Sequence, residues 1–235
     1  GHLLERFAQP LREAGLRRIS VSLDTFDAEQ FDAVTKGGSL ARVLDGLAAS
    51  EAAGFDDISI NIVGLRGVND GHLGPIAARC LDHGWRPRFI ELMPIGGLAY
   101  QDGERRITRA QIVDELSDYF GTLWPINLNS RTAGPARYYR IDRGPYAGGL
   151  LGTISPMTDP HFCGDCNRAR LTARGKLRAC LANDDEVSIL QRIRNGASDE
   201  ELRACVTEAM SHKLENHRMV ESGFVPLSVM TGIGG

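Results

Sequence analysis

Three cysteines carry the clearest chemistry in this 235-residue chain: Cys163 and Cys166 in a C-x2-C turn, and Cys180 a short way on. C-x2-C places two thiolates on one tight turn. The segment Leu171-Thr-Ala-Arg-Gly-Lys-Leu177 reads as a hairpin turning at Arg174-Gly175, which returns the third cysteine to the same point. Thiolates so arranged suit zinc or an iron–sulfur cluster. A structural zinc wants four protein ligands, and His161 is the nearby candidate for the fourth. A four-iron cluster on three cysteines instead leaves one iron open to another ligand. Spacing alone leaves both readings standing. Cys80 and Cys205 fall on apolar helix faces and read as small buried hydrophobes. An odd cysteine count with three crowded together points to a reducing, cytoplasmic compartment rather than a disulfide framework.

Charge sharpens the picture around this segment. Between His161 and Cys180 lie Arg168, Arg170, Arg174, Lys176 and Arg178 against one acid, Asp165, in a chain whose net charge is −3. A basic island beside a metal suits an anionic substrate such as a nucleotide phosphate. Arg168 and Arg170, two apart, face one way on an extended backbone. Arg174, Lys176 and Arg178 also fit an ordinary solvated hairpin. The overall negative balance argues against a general nucleic-acid binder, and no apolar run approaches the ~20 residues of a membrane span.

The elements that must position these groups show a repeat. Leu4, Phe7, Leu11 and Leu16 have helical spacing, Gly15 ends that helix, and Arg18–Asp24 reads as a strand. A second helix runs from Ser39, a plausible N-cap, to Gly54, with a strand over Asp57–Val63. A third runs from Gly71 to Gly84, followed by a strand over Arg88–Met93. Glycine suits the left-handed position after each helix. Helix–glycine–strand repeated in this way means parallel strands with crossover helices. By alternation Glu91 is expected on the same side of its strand as Met93. A chain opening with Gly1-His2 directly before a helix is expected to begin inside its fold, with the first strands missing.

Beyond about residue 100 the character changes. Thr108 caps a helix carrying Ile112, Val113, Leu116 and Phe120, and Gly121 ends it. Ala136–Ile141 and Leu150–Ser155 are expected to pair as strands. Two helices close the chain, the second opened by a Ser198/Glu201 capping box. The expected domains are residues 1–105 and 106–235.

Several segments resemble the GTP 3′,8-cyclase family of molybdenum-cofactor biosynthesis, radical S-adenosylmethionine (SAM) enzymes. They are Gly134-Pro-Ala-Arg-Tyr-Tyr-Arg140, Ile154-Ser-Pro156, Phe162 through Leu181, and the terminal Gly234-Gly235. Val21-Ser-Leu-Asp24, Arg66-Gly-Val-Asn-Asp70 and Arg88-Phe-Ile-Glu-Leu-Met-Pro94 match as well. The resemblance implies an α/β fold, a partial (βα)6 TIM-like radical SAM barrel lacking its N-terminal strands, plus a C-terminal α+β cluster-binding domain. It implies a lyase that cyclises GTP to (8S)-3′,8-cyclo-7,8-dihydroguanosine 5′-triphosphate, the first step of molybdopterin synthesis. Cys163, Cys166 and Cys180 would hold a 4Fe-4S cluster whose open iron meets guanine. Arg168, Ala169 and Arg170 would line the GTP site, Ser22 and Met93 would contact SAM, and the Gly234-Gly235 tail would reach the active site. Implied partners are GTP, SAM and the downstream cyclic pyranopterin monophosphate synthase, with a homodimer as one assembly.

Two departures accompany the match. The family's N-terminal C-x3-C-x2-C is absent, so a second 4Fe-4S cluster is expected only in missing N-terminal sequence, and this chain alone is expected to be inactive. Ser59 stands where the family usually has a GTP-contacting lysine, which calls for a compensating cation nearby or a different substrate. The competing readings are a radical SAM relative acting on another substrate and a non-catalytic metal-binding fragment.

Overall fold

A computed structural model describes residues 1–95, 103–128, 135–164, 166–183, 185–215, 217 and 219. Contacts divide the chain into two compact units. The first comprises residues 1–91, 105–130 and 136–155, and the second 92–104, 131–135 and 156–235.

The first unit runs α1 (Leu4–Glu13), β1 (Arg18–Ser22), α2 (Ala28–Thr35), α3 (Leu40–Ala52), β2 (Asp57–Gly64), α4 (Leu73–Asp82), β3 (Arg86–Glu91), α5 (Arg109–Phe120), β4 (Leu123–Ile126), β5 (Arg137–Ile141) and β6 (Leu150–Ile154). The glycine signals hold. Gly15, Gly54 and Gly84 take φ of +96°, +74° and +70° after α1, α3 and α4, where a side chain would be strained. The Ser39 and Thr108 caps form as expected, the latter as a full capping box with Gln111. Helix α2 carries no strong periodic signal. It is started by the Asp27 carboxylate, which accepts the Gln30 N–H at 2.8 Å.

The six strands form one sheet in the order β1-β2-β3-β6-β5-β4. β1, β2, β3 and β6 pair in parallel, β5 pairs antiparallel with β6, and β4 pairs antiparallel with β5. This is the α/β class expected, a partial TIM-like barrel whose sheet does not close among the described residues. The β5–β6 hairpin pairs as expected and extends the parallel sheet. Ile58, Ile60 and Ile62 alternate onto the helix-covered face, where they join Val21, Phe89, Ile141 and Leu151 in the main core. The opposite face carries Ser20, Asp57, Ser59, Asn61, Arg86 and Arg88, so its chemistry is polar.

Two expectations change. β3 ends at Glu91, so alternation does not carry on to Met93. Glu91 turns to the helix side, 0% exposed, and its carboxylate accepts the Arg109 N–H at 2.7 Å at the start of α5, where the helix dipole favours negative charge. On α1 it is Leu4 and Ala8 that turn inward, while Phe7 and Leu11 remain 38% exposed.

The second unit contains β7 (Arg170–Leu171), β8 (Lys176–Arg178), β9 (Val187–Ser188), α6 (Ile189–Arg194) and α7 (Asp199–Ser211). β7 and β8 form the expected hairpin, with Arg170 opposite Arg178 and Gly175 at φ +69° in the turn. The Ser198/Glu201 capping box opens α7. Cys205 and Ala209 pack with Val187 in a small core, and Cys80 lies in the main core, as its helix position implied. Burial pushes the Cys80 thiol up to about 12, leaving it inert.

Candidate metal centre and sheet face

The cysteine turn is built from its entry inward. Buried Asp159 accepts the His161 N–H on its side chain at 3.0 Å and the Phe162 N–H on its carbonyl at 3.1 Å. The turn then closes with the Cys166 N–H on the Cys163 carbonyl at 3.1 Å. The β7–β8 hairpin returns Cys180 to this neighbourhood. The Cys163 thiol is pushed up, first by burial and then by the thiols of Cys180 and Cys166. A hydrogen bond from the His217 backbone and the Lys213 charge act in the opposite sense. Thiols from one turn and the hairpin end are soft donors that thiophilic metals take as thiolates, so these residues fit a thiolate-bound metal group. Among the described residues no three His, Cys, Asp or Glu side chains stand as a ready-made metal cage. His161 is exposed, and Asp165 lies outside the described residues.

Cys180 and Met93 pack against one apolar cluster, formed by Ile95, Ala182 and Met219 with Met157 and Leu181 beside them. Thus Met93, expected at the cofactor, shares a cluster with Cys180. Gly234 and Gly235 lie outside the described residues.

The basic island separates into two parts. Arg178 is only 2% exposed, and its Nη2 meets Glu186 Oε1 at 3.0 Å. Lys176 Nζ meets the other carboxylate oxygen at 3.0 Å. The Lys176 hydrogen bond, ahead of the other contacts, holds Glu186 below the usual carboxylate range. Glu186 lies outside the window in which the sequence charge was counted, so Lys176 and Arg178 are structural cations. Arg168 and Ala169 are exposed and Arg170 is half-buried. The Arg170 guanidinium is lowered by burial and then by the like charges of Arg168 and Arg178. Cations crowded in this way are relieved by an anion.

On the first unit, Ser22 ends β1 and is exposed. Just past it, Asp24 accepts the Val63 N–H at 2.7 Å. Fully buried Asn69 donates to the carbonyls of Asp24 and Val63 at 2.9 and 2.8 Å and accepts the Leu65 N–H at 2.8 Å. The motifs Val21–Asp24 and Arg66–Asp70 are therefore one knot at the carboxyl ends of β1 and β2, the end of such sheets where active sites form. Burial raises Asp24 to about 6 despite the Val63 bond.

Ser59 lies in register between Ser20 and Arg86. Arg86 Nη1 reaches Asp57 Oδ2 at 2.9 Å. Arg88 bridges Asn61 Oδ1 at 3.0 Å and Ser20 Oγ at 2.8 Å. A Cβ at Gly152 would come 3.0 Å from Arg88 Cγ, so this glycine leaves the arginine its room. Two cations thus flank Ser59 on the neighbouring strand. Sequence reasoning passed over Arg86, although the Arg86-Pro-Arg88 alternation was a signal that both share a face. It also passed over Lys213 and His217, which had no local signal.

Comparison with known proteins agrees with the resemblance. The Molybdenum Cofactor Synthesis C family matches residues 86–219, and the Radical SAM superfamily matches residues 1–80. A GTP 3′,8-cyclase of Thermodesulfovibrio yellowstonii is 38% identical over 235 residues, covering all of this chain and 70% of the relative. One from Pelotomaculum thermopropionicum is 37% identical with the same coverage. One from Paracoccus denitrificans is 40% identical over 220 residues, 92% of this chain and 61% of the relative. The chain thus spans between 61% and 70% of the length of these relatives. Among the described residues no helix is long and apolar enough to cross a membrane.

Proposed function

The chain belongs to the GTP 3′,8-cyclases of molybdenum-cofactor synthesis within the radical SAM superfamily, and from that membership we propose that it binds GTP beside a three-cysteine iron–sulfur cluster and positions it for cyclisation. The observation that carries this reading is the convergence of Cys163 and Cys166 on one turn with Cys180 from the hairpin end, in the unit that also carries exposed Arg168 and half-buried Arg170. Cys163, Cys166 and Cys180 would hold a 4Fe-4S cluster, which when bound supplies an iron with an open position for guanine. SAM supplies the radical that starts the reaction.

The work of this chain is positional. Arg168 and Arg170 would bind the phosphates by charge-assisted hydrogen bonds, with Ala169 leaving the nucleotide room. Ser22 and Met93 would hold SAM by a hydroxyl and a thioether, and the Gly234-Gly235 tail, with no side chains to clash, would enter the site. Holding ribose C3′ near guanine C8 replaces a loss of freedom that would otherwise burden the barrier, and excluding water protects the radical. Arg86 and Arg88, on the strand beside Ser59, would supply the charge that a serine does not. The product, (8S)-3′,8-cyclo-7,8-dihydroguanosine 5′-triphosphate, would pass to cyclic pyranopterin monophosphate synthase. The free thiols fit a reducing cytoplasm.

Ser59 also supports a second reading, a radical SAM relative with another substrate. Anaerobic purification with iron, sulfide, zinc and GTP-binding assays separates the two. About four irons and four sulfides per chain with GTP binding support cyclisation, and the same cluster without GTP binding favours the relative. About one zinc and no sulfide would overturn both.

A further inference from the structure

The segment that must present Arg168 to Arg170 has little backbone support of its own. Among the described residues no backbone–backbone hydrogen bond holds Asn167, Arg168 or Ala169, since the turn bond ends at Cys166 and the β7 ladder begins at Arg170. Its support comes from the far end of the second unit. Cys205 and Ala209 anchor α7 in the small core with Val187, Leu177 and Ile189. At its end the His212 N–H bonds the Ala209 carbonyl and the Lys213 N–H bonds the Met210 carbonyl. From that anchored end Lys213 Nζ donates to the Cys166 carbonyl and, at 3.3 Å, to the Arg168 carbonyl. Four residues on, the His217 backbone hydrogen-bonds Cys163, and its ring meets the Pro156 carbonyl.

Resting on the function proposed above, we infer that Lys213 is a positioning residue that staples the arginine segment to the cysteine turn and places a fixed cation beside the group the thiols hold. One ammonium spanning the carbonyls on either side of Asn167 sets how far Arg168 stands from Cys166. The ammonium at the Cys166 carbonyl is also a charge beside the cysteine turn. Two effects follow and are separable: the hydrogen bonds govern GTP affinity through Arg168 and Arg170, and the charge stabilises the more reduced, more anionic state of a bound cluster.

The test compares Lys213→Met, Lys213→Gln and Lys213→Arg in the anaerobic, iron- and sulfide-loaded protein. Lys213→Met is expected to raise the GTP Kd about tenfold or more, the weight of a charge-assisted hydrogen bond, and to move the cluster's reduction potential to a more negative value. Lys213→Gln, a neutral donor, is expected to recover much of the affinity but not the potential, and Lys213→Arg to recover both. Wild-type affinity and potential in Lys213→Met overturn the inference. So does an equal loss in all three variants that follows only a lowered melting temperature. Hydrogen exchange at Asn167–Arg170 in metal-free protein tests the staple without a cluster. Faster exchange in Lys213→Met supports it, and unchanged exchange refutes it. Absence of a cluster from the wild type refutes the proposed function instead.

Discussion

The two units are held together by different means. Among the described residues, the sheet unit has one cluster of 22 buried apolar side chains, whereas the cysteine unit has two clusters of three. The first stands on apolar burial. The second leans on polar devices: the Arg178–Glu186–Lys176 group and the Lys213 hydrogen bonds. Small cores of this kind are completed by metals. On the proposed reading, a metal held by the cysteines would also supply folding energy to that unit, and the sheet would not depend on it.

The sharpest way to break this contrast is to remove the proposed metal ligands. Cys163→Ala, Cys166→Ala or Cys180→Ala should each abolish iron incorporation and expose the cysteine unit to proteolysis while the sheet unit persists. Cys80→Ala and Cys205→Ala should leave iron content unchanged and lower stability by about 1–3 kcal/mol. Full iron in Cys180→Ala would remove it from the ligand set. Next in size is Glu186→Ala, which takes a carboxylate from Arg178 at 2% exposure and should cost about 3–5 kcal/mol in a denaturation series. A loss below 1 kcal/mol would mean that water reaches the guanidinium.

The sheet unit has its own polar weak point at Asp24. Burial raises its pKa from 3.8 to about 6, so the folded state binds this proton more tightly than the unfolded chain. The corresponding stability is full below pH ~4 and is lost as pH rises through about 6. Asp24→Asn keeps an acceptor for Val63 without the charge. Relative to wild type it should gain about 3 kcal/mol between pH 4 and 7, measured by denaturant unfolding at each pH. A flat difference would show that Asp24 is solvated. The smallest effects belong to the cations proposed to meet the nucleotide. Arg168→Ala and Arg170→Ala should each weaken GTP binding by about 1–3 kcal/mol, read by titration calorimetry, with little change in melting temperature. Unchanged affinity in both would refute their role.

Much of this architecture was written in short spans of chain. The helix–glycine–strand units, the caps at Ser39, Thr108 and Ser198, the Arg174-Gly175 turn and the burial of Cys80 and Cys205 all follow from interactions within a few residues. The cysteine spacing also announced thiolate chemistry. Other features needed the tertiary structure because their partners are distant in sequence. The attachment of β6 to β3 joins Arg88 to Gly152. Glu91 meets the start of α5, 18 residues on, where its carboxylate accepts the Arg109 N–H. Arg178 looked like a surface charge until Glu186 came across the hairpin to meet it. Lys213 carries no local pattern at all, since its two carbonyls lie 47 and 45 residues back along the chain. Sequence by itself determined which groups could do chemistry and which short elements would form, because backbone conformation and capping are local. Tertiary structure decided which cations face a ligand and which are spent on the fold, because charge pairing depends on what else arrives within a few ångströms.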